Sequence, residues 1–352
     1  MALGSATALL APLLTGCDVR LEDDAPDLPL LPRKSIPDEA LLIAGVHEAE
    51  ALAQLVGRIA GASAPVAALS SIHLTQAQVL HGRLTAGGVP DHVIASASPT
   101  STGTGTATGT STTGPAPAVS APPAATLADL AAAESAGVAA AALTALARAT
   151  TTNRMVLAAI AAQRGATATS LDSPPTWPAA DPLSSSAAAQ LLAATRSVSY
   201  AFQVAAAQSS GDARTAALST RDALERRGAE LAAMVGSTAP APPLGYVLPF
   251  PVTTPEAAGR LATTAMTGLV AAGWQPLADG ASLTASSSST PSGPVTATST
   301  APPSATSSGS NTSAVPVGSS ALITLLRLQV EAIGLAAPWG VGAVPFPGMS
   351  YP

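Results

Sequence analysis

Residues 35–61 read SIPDEALLIAGVHEAEALAQLVGRIAG, and this stretch decides the fold. Ser35 with Pro37, Asp38 and Glu39 is a helix start: a capping residue, a proline in the first turn, and acids that complement the positive end of a helix dipole. From there Leu42, Val46, Ala49, Leu52, Ala53 and Val56 recur at three- and four-residue steps, which places them on one face of an α-helix. Gly61 ends the run. No segment of the chain alternates apolar and polar residues convincingly at the two-residue period of a half-buried strand.

The same signals repeat outward. Ser63 and Pro65 open a second helix to about Thr85, with Val66, Leu69, Ile72, Val79, Leu80 and Leu84 on one side. The spacing predicts a third helix over 126–149, a fourth over 152–171, and further helices over 186–208, 212–236, 255–273 and 319–337. Thr254-Pro255-Glu256 supplies a cap, a first-turn proline and a charge that favours the dipole. Helices of ~20 to 24 residues span ~30 to 36 Å, the length of bundle helices. Hydrophobic residues make up 47% of the 352, but Trp, Tyr and Phe number only three each, so the core is built from Ala, Leu and Val. Small side chains of this kind suit closely packed helices.

The N-terminus carries the clearest functional signal. Residues 8–14, Ala-Leu-Leu-Ala-Pro-Leu-Leu, are apolar but too short to span a bilayer, and Leu14-Thr15-Gly16-Cys17 follows at once. This resembles the lipobox of bacterial lipoproteins. The resemblance implies diacylglyceryl transfer to the Cys17 thiol, cleavage before Cys17 and acylation of the new amino terminus. Two or more acyl chains anchor stably where one does not. No Lys or Arg precedes Arg20, so the basic region usual in such signals is expected upstream of Met1. Cys17 is the only cysteine, which excludes internal disulfides, thiolate metal sites and a catalytic thiol elsewhere.

Residues 17–37, rich in Asp, Glu and Pro, read as an acidic tether between the anchor and the folded part. Residues 95–124 and 279–317 are Ser/Thr/Gly/Pro-rich, lack periodicity and are expected to be disordered inserts. Their composition also suits O-glycosylation. Gly103, Gly105 and Gly109 nearly spell a dinucleotide fingerprint, but the third glycine is one place late and neither strand nor helix flanks it. The organisation expected is a lipoprotein signal peptide over 1–16, a first helical bundle over 38–171, a linker over 172–185 and a second bundle over 186–352.

The order helix-helix, long connection, helix-helix in 38–171 is similar to the ferritin-like bundle, whose crossover separates two helical hairpins. In the second half, Leu191-Leu192-Ala193-Ala194-Thr195-Arg196-Ser197-Val198-Ser199-Tyr200-Ala201-Phe202 resembles the opening helix of a ferritin-like domain family of unknown function found in actinobacterial lipoproteins. Tyr246–Val252 and Trp339-Gly340 with Pro345-Phe346-Pro347-Gly348 extend the match. The resemblance implies an all-α fold of two tandem ferritin-like four-helix bundles, each with a disordered insert. Members commonly carry Glu-His where this chain has Thr195-Arg196, and Glu-x-x-His where it has Arg164-x-x-Thr167. The implied metal-ligand motifs are therefore degenerate.

A di-iron carboxylate site needs inward Glu from two helices and Glu-x-x-His from two more. All four histidines, His47, His73, His81 and His92, precede residue 93, so the second half offers no imidazole. His73 and Gln76 fall on the apolar stripe of the second helix, Glu48 flanks that of the first, and Glu134 sits between Leu130 and Val138 on the third. Glu48, His73 and Glu134 are the candidates for a reduced iron or manganese site. Arg164 and Thr167 lie on the side of the fourth helix marked by Val156, Ile160 and Leu171. A buried Glu is costly unless paired, so the sequence predicts a buried cluster of Glu134 and Arg164 with His73, Gln76 and Thr167 nearby, Arg164 gripping Glu134 with its planar fork. Arg221, Asp222, Glu225, Arg226, Arg227 and Glu230 fit a solvated, salt-bridged helix face.

A net charge of −6 and scattered arginines exclude a nucleic-acid partner, which needs a clustered basic face. Gly-x-Ser-x-Gly is absent, and no Ser, His and acid are spaced to suggest a triad. The functional expectation is a non-catalytic envelope protein on the outer face of the cytoplasmic membrane, held there by its lipid anchor. It would serve structure or bind an envelope protein. The alternatives are iron or manganese binding, and small-molecule or lipid binding in an apolar pocket between helices.

Overall fold

The computed structural model describes residues 33–96, 123–279 and 319–350. The expected signal peptide, Cys17 and most of the acidic tether lie outside the described residues, as does nearly all of both expected inserts. Ile36–Pro352 forms one unit. Helices dominate it: α1 (Glu39–Gly57), α2 (Ala64–Ala86), α3 (Asp91–Ser96), α4 (Leu127–Ala136), α5 (Ala140–Arg148), α6 (Thr151–Ser170), α7 (Ser185–Ala207), α8 (Gly211–Val235), α9 (Pro255–Ala272), α10 (Gln275–Ala278) and α11 (Ser319–Ala336). There is no strand among the described residues beyond isolated bridging, as between Ile59 and Ala125. The all-α class holds.

Local chemistry sets the helix ends. At α2, Gly88 turns left-handed with φ 83°, its N–H donates to the Thr85 carbonyl and the Val89 N–H reaches back to Leu84, which closes a Schellman motif and buries Val89. At α4, Thr126 and Asp129 cap each other reciprocally. Asp38 precedes α1 with φ 62°, and its carboxylate accepts from the Thr150 N–H and hydroxyl and from Asn153 at 2.6–3.0 Å. One carboxylate thus ties the start of α1 to the start of α6.

α1 packs on α2 and α7 on α8 as antiparallel hairpins, α9 lies on α7, and α4 lies on α6. α11 is set against α6, α9 and α5. A single hydrophobic cluster runs from Leu42 and Leu84 through Val156 and Ala162 to Leu191, Leu326 and Phe346, so the two halves of the chain share a core. α6 is buried on nearly every side, at Val156, Ala158, Ala159, Ala161, Ala162, Gly165 and Ala168. Gly165 permits the contact with α11, since a Cβ there would stand 2.8 Å from Val330 Cγ2. α1 and Ser320–Trp339 are apolar enough, by length and composition, to cross a membrane; here both supply residues to this core.

The sequence expectation differs in one consequential place. The pattern predicts one helix over 126–149, but α4 stops at Ala136 and α5 restarts at Ala140. The cause is a tertiary contact at Gly137, described below. The short α3 and α10 also escape the pattern, being too brief to show a period.

Asp38 allows a test of the tie between α1 and α6. Burial acts to raise its pKa, but hydrogen bonds from Thr150 and Asn153 and the charge of Arg154 outweigh that and hold the carboxyl below its ordinary 3.8. A depressed folded pKa contributes stability above the unfolded value, which is lost as pH falls through the folded value. Asp38→Ala should therefore cost about 1 kcal/mol at neutral pH. The deficit should shrink on acidification below pH 3.8 in urea melts. A deficit independent of pH would contradict the tie.

Candidate functional site

Four helices bring their polar side chains to one buried point in the first half. His73, Gln76 and Glu134 are fully buried, and Gln163, Arg164 and Thr167 nearly so. α1 contributes Glu48, α2 His73 and Gln76, α4 Glu134, and α6 Gln163, Arg164 and Thr167. All but Glu48, which flanks the stripe of α1 and is largely exposed, project inward because they share the phase of their helix's apolar stripe.

Arg164 organises the group. Its Nη1 donates to Glu48 Oε2 at 2.6 Å, its Nη2 donates to the Ala133 carbonyl at 2.8 Å, and its Nε stands 3.6 Å from Glu134 Oε2. Ala133 is free to accept because α4 ends there: the Gly137 N–H turns to the Glu134 carbonyl and leaves Ala133 without an intrahelical partner. A cation at the last turn of a helix is also favoured by the dipole. Gly137 is required for this arrangement, since a Cβ at that position would overlap the guanidinium. Guanidinium, glycine and helix break are one feature.

His73 completes the other side of Glu134. Its Nε2 lies 2.9 Å from Glu134 Oε1 and its Nδ1 lies 3.1 Å from Gln76 Oε1. The Gln76 amide is oriented by donation to the Pro345 carbonyl at 2.8 Å and to Gln163 Oε1 at 3.0 Å, so its oxygen faces His73. Nδ1 must then carry a hydrogen, and a second hydrogen must lie between Nε2 and the Glu134 carboxyl, on one or the other. With it, His73 and Glu134 are neutral as a unit and Arg164 balances Glu48. Gln163 passes the chain on to Thr167 Oγ1 at 2.7 Å. Glu48, Gln76, Gly137 and Arg164 border a cavity of 180 Å³. Gln163 and Thr167 border a separate cleft of 630 Å³ beneath Pro345 and Phe346.

The structure brings Glu134, Arg164, His73, Gln76 and Thr167 into one network and places Arg164 within ion-pair distance of Glu134, at 3.6 Å, but the hydrogen bonds of the guanidinium fork go to other partners. The fork of Arg164 does not grip Glu134; it spans Glu48 and the Ala133 carbonyl, because the broken end of α4 presents an acceptor the sequence pattern does not reveal. Glu134 Oε2 and Arg164 Nε complete no hydrogen bond across their 3.6 Å gap. Glu48, grouped with His73 and Glu134 as a candidate metal ligand, meets Arg164 instead and is largely exposed. Among the described residues no three His, Cys, Asp or Glu side chains are disposed to hold a metal ion. The residues do not fit the di-metal centre implied by the resemblance: a guanidinium stands between its two carboxylates and would repel an entering cation.

Sequence reasoning missed Gln163, Gly137 and Pro345 here, and misplaced Arg227 in the second half. Arg227 is buried rather than part of a solvated face, because it falls in step with Ala217, Thr220, Leu224 and Leu231 on the inner stripe of α8. The other charges behave as expected: Arg221 pairs with Asp222 and Glu225, Arg226 is exposed, and Glu230 pairs with Arg327 of α11. The second half contains an echo of the first. Gly273, at the end of α9, leaves room for the Gln329 amide from α11, whose Nε2 donates to the Val270 carbonyl.

Compared with known proteins, the chain matches no family model, no curated protein and no solved structure. The fold and the cluster define an all-α protein with a charge-balanced polar core.

A mutant cycle tests the unity of Gly137 and Arg164. Gly137→Ala should destabilise the native chain by about 1–3 kcal/mol through overpacking. Arg164→Ala should cost roughly 3 kcal/mol by exposing buried acceptors. In the Arg164→Ala background, Gly137→Ala should become neutral or stabilising by up to ~1 kcal/mol, as alanine is the better helix former. Additive losses in chemical denaturation would show that the two residues act separately.

Proposed function

We propose that this chain is an exported envelope lipoprotein, anchored through Cys17 on the outer face of the cytoplasmic membrane, whose helices form a non-catalytic, ferritin-like scaffold for structure or protein binding. The observation that carries the reading is the position of Arg164. Where a ferritin-like di-metal site would gather carboxylates around an ion, this chain sets a fixed guanidinium between Glu48 and Glu134. The internal cation does the structural work of a bound one, joining α1, α4 and α6, while offering no open coordination position and no redox chemistry.

Two further features support a tandem ferritin-like origin. The C-terminal glycines of α4 and α9 each accommodate a polar side chain from a long helix of their own half, and that side chain bonds a last-turn carbonyl. In the second half Thr195 is wholly buried, at the position where the resembling family carries Glu, so a carboxylate is replaced by a hydroxyl there as well.

Protein purified without a His-tag should contain iron and manganese far below one equivalent per chain, and Cys17→Ala should release it from the membrane fraction or leave the signal segment uncleaved. Stoichiometric metal in the native protein would overturn the scaffold reading, and unchanged fractionation with an unchanged mature mass would overturn the anchor. Arg164→Glu with Thr167→His restores the Glu-x-x-His pattern. This double variant should take up a divalent metal that the native chain does not, read by metal analysis after dialysis.

A further inference from the structure

A second buried arginine is left without a counter-charge. Arg227 is 4% exposed on the inner stripe of α8. It donates through Nη1 to the Leu328 carbonyl of α11, while its Nε has no hydrogen-bond partner among the described residues. The nearby acids, Glu230 and Glu331, are both engaged by Arg327. No carboxylate stands within ion-pair distance of Arg227 among the described residues. Burial pushes its guanidinium down to about 10, against the pull of Glu331 and Glu230.

Arg227 borders a cleft of 640 Å³ between α8, α11 and the segment joining α6 to α7. Pro174, Pro175 and the half-buried Trp177 form one wall, and Val330 and Leu335 line the α11 side. Arg226 is exposed beside it and has no ion pair among the described residues. Three guanidiniums, Arg226, Arg227 and Arg327, thus face two carboxylates, Glu230 and Glu331, which leaves one positive charge uncompensated. The volume lies within the range of small-molecule sites.

We propose that this cleft binds a small organic monoanion with a flat apolar body, its carboxylate or equivalent anion set against Arg227 and Arg226 and its body against Trp177, Pro174 and Pro175. A guanidinium offers an anionic oxygen pair paired, charge-assisted hydrogen bonds, and the low dielectric around a buried one strengthens them. Glu230 and Glu331 on the same wall tell against a dianion, and the excess positive charge tells against a cation. The aromatic and proline wall gives the apolar body its place. This site is separate from the Arg164 cluster and makes no use of the anchor, so it stands or falls apart from the scaffold reading.

Isothermal titration of the full chain with 2-naphthoate, with 2-naphthylmethanol as the uncharged analogue, and with inorganic phosphate tests the proposal. Saturable 1:1 binding of naphthoate is expected, with the alcohol weaker by at least about tenfold. Arg227→Gln should weaken naphthoate by about tenfold or more while leaving the alcohol unchanged. Glu230→Gln removes a repelling carboxylate and should tighten naphthoate by about threefold, a gain that misfolding cannot mimic. Trp177→Ala, on a surface segment, should weaken both aromatic probes alike. Absent or non-saturable binding of naphthoate, equal affinity for the alcohol, stronger binding of phosphate, or indifference to both Arg227→Gln and Glu230→Gln would overturn the proposal.

Discussion

A guanidinium buried among alanines and leucines must find acceptors for its donors, and the architecture of the first half follows from how Arg164 meets that demand. One nitrogen reaches the outer carboxylate of Glu48, one takes a carbonyl released by ending α4 early, and the third faces Glu134. Nε meets Glu134 as an ion pair without a hydrogen bond, and removing either of the other two acceptors would leave a further donor unpaired, at a cost comparable to a large share of a domain's net stability. The break in α4 is therefore part of the solvation of Arg164. Because Glu134 also holds His73, and His73 holds Gln76, the demand propagates across α2 to the Pro345 carbonyl. The C-terminal segment is fastened by the same network, and Trp274 fastens it again at Pro347.

The helical content, the inward positions of Glu134, His73 and Gln76, and the convergence of Arg164 on that region were legible in the sequence, since each depends on a residue's phase along its own helix. What stayed illegible depends on pairs distant in the chain. The gap between α4 and α5 looks like continuous helix, because Gly137 alone costs only about 1 kcal/mol in a helix and the contact that requires it comes from α6. The choice of Glu48 and Ala133 over Glu134 for the fork is likewise set by packing. Arg227 is a different failure. Its inner phase with Leu224 and Leu231 is present in the sequence, but the surrounding charges from Arg221 to Glu230 invite an outward reading of the whole segment. Period, rather than charge density, was the better guide.

The two halves apply the same device to different ends. In the first, the side chain against the terminal glycine is an arginine, and carboxylates, imidazole and amides surround it until the charges cancel. In the second it is Gln329, a neutral group that brings no carboxylates with it, and the buried Thr195 and Gln329 each retain an oxygen without a hydrogen-bond partner among the described residues. The cation of the second half is displaced to α8, where Arg227 lies against a cleft rather than inside a closed network. A buried charge that is balanced internally stabilises one packing arrangement and has little to offer a ligand. One balanced only in part retains an attraction that an incoming anion can satisfy. The two arginines thus differ in how their charge is met: both tie helices together through a backbone carbonyl, but Arg164 also has carboxylates within ion-pair distance, whereas Arg227 has none among the described residues and borders a cleft.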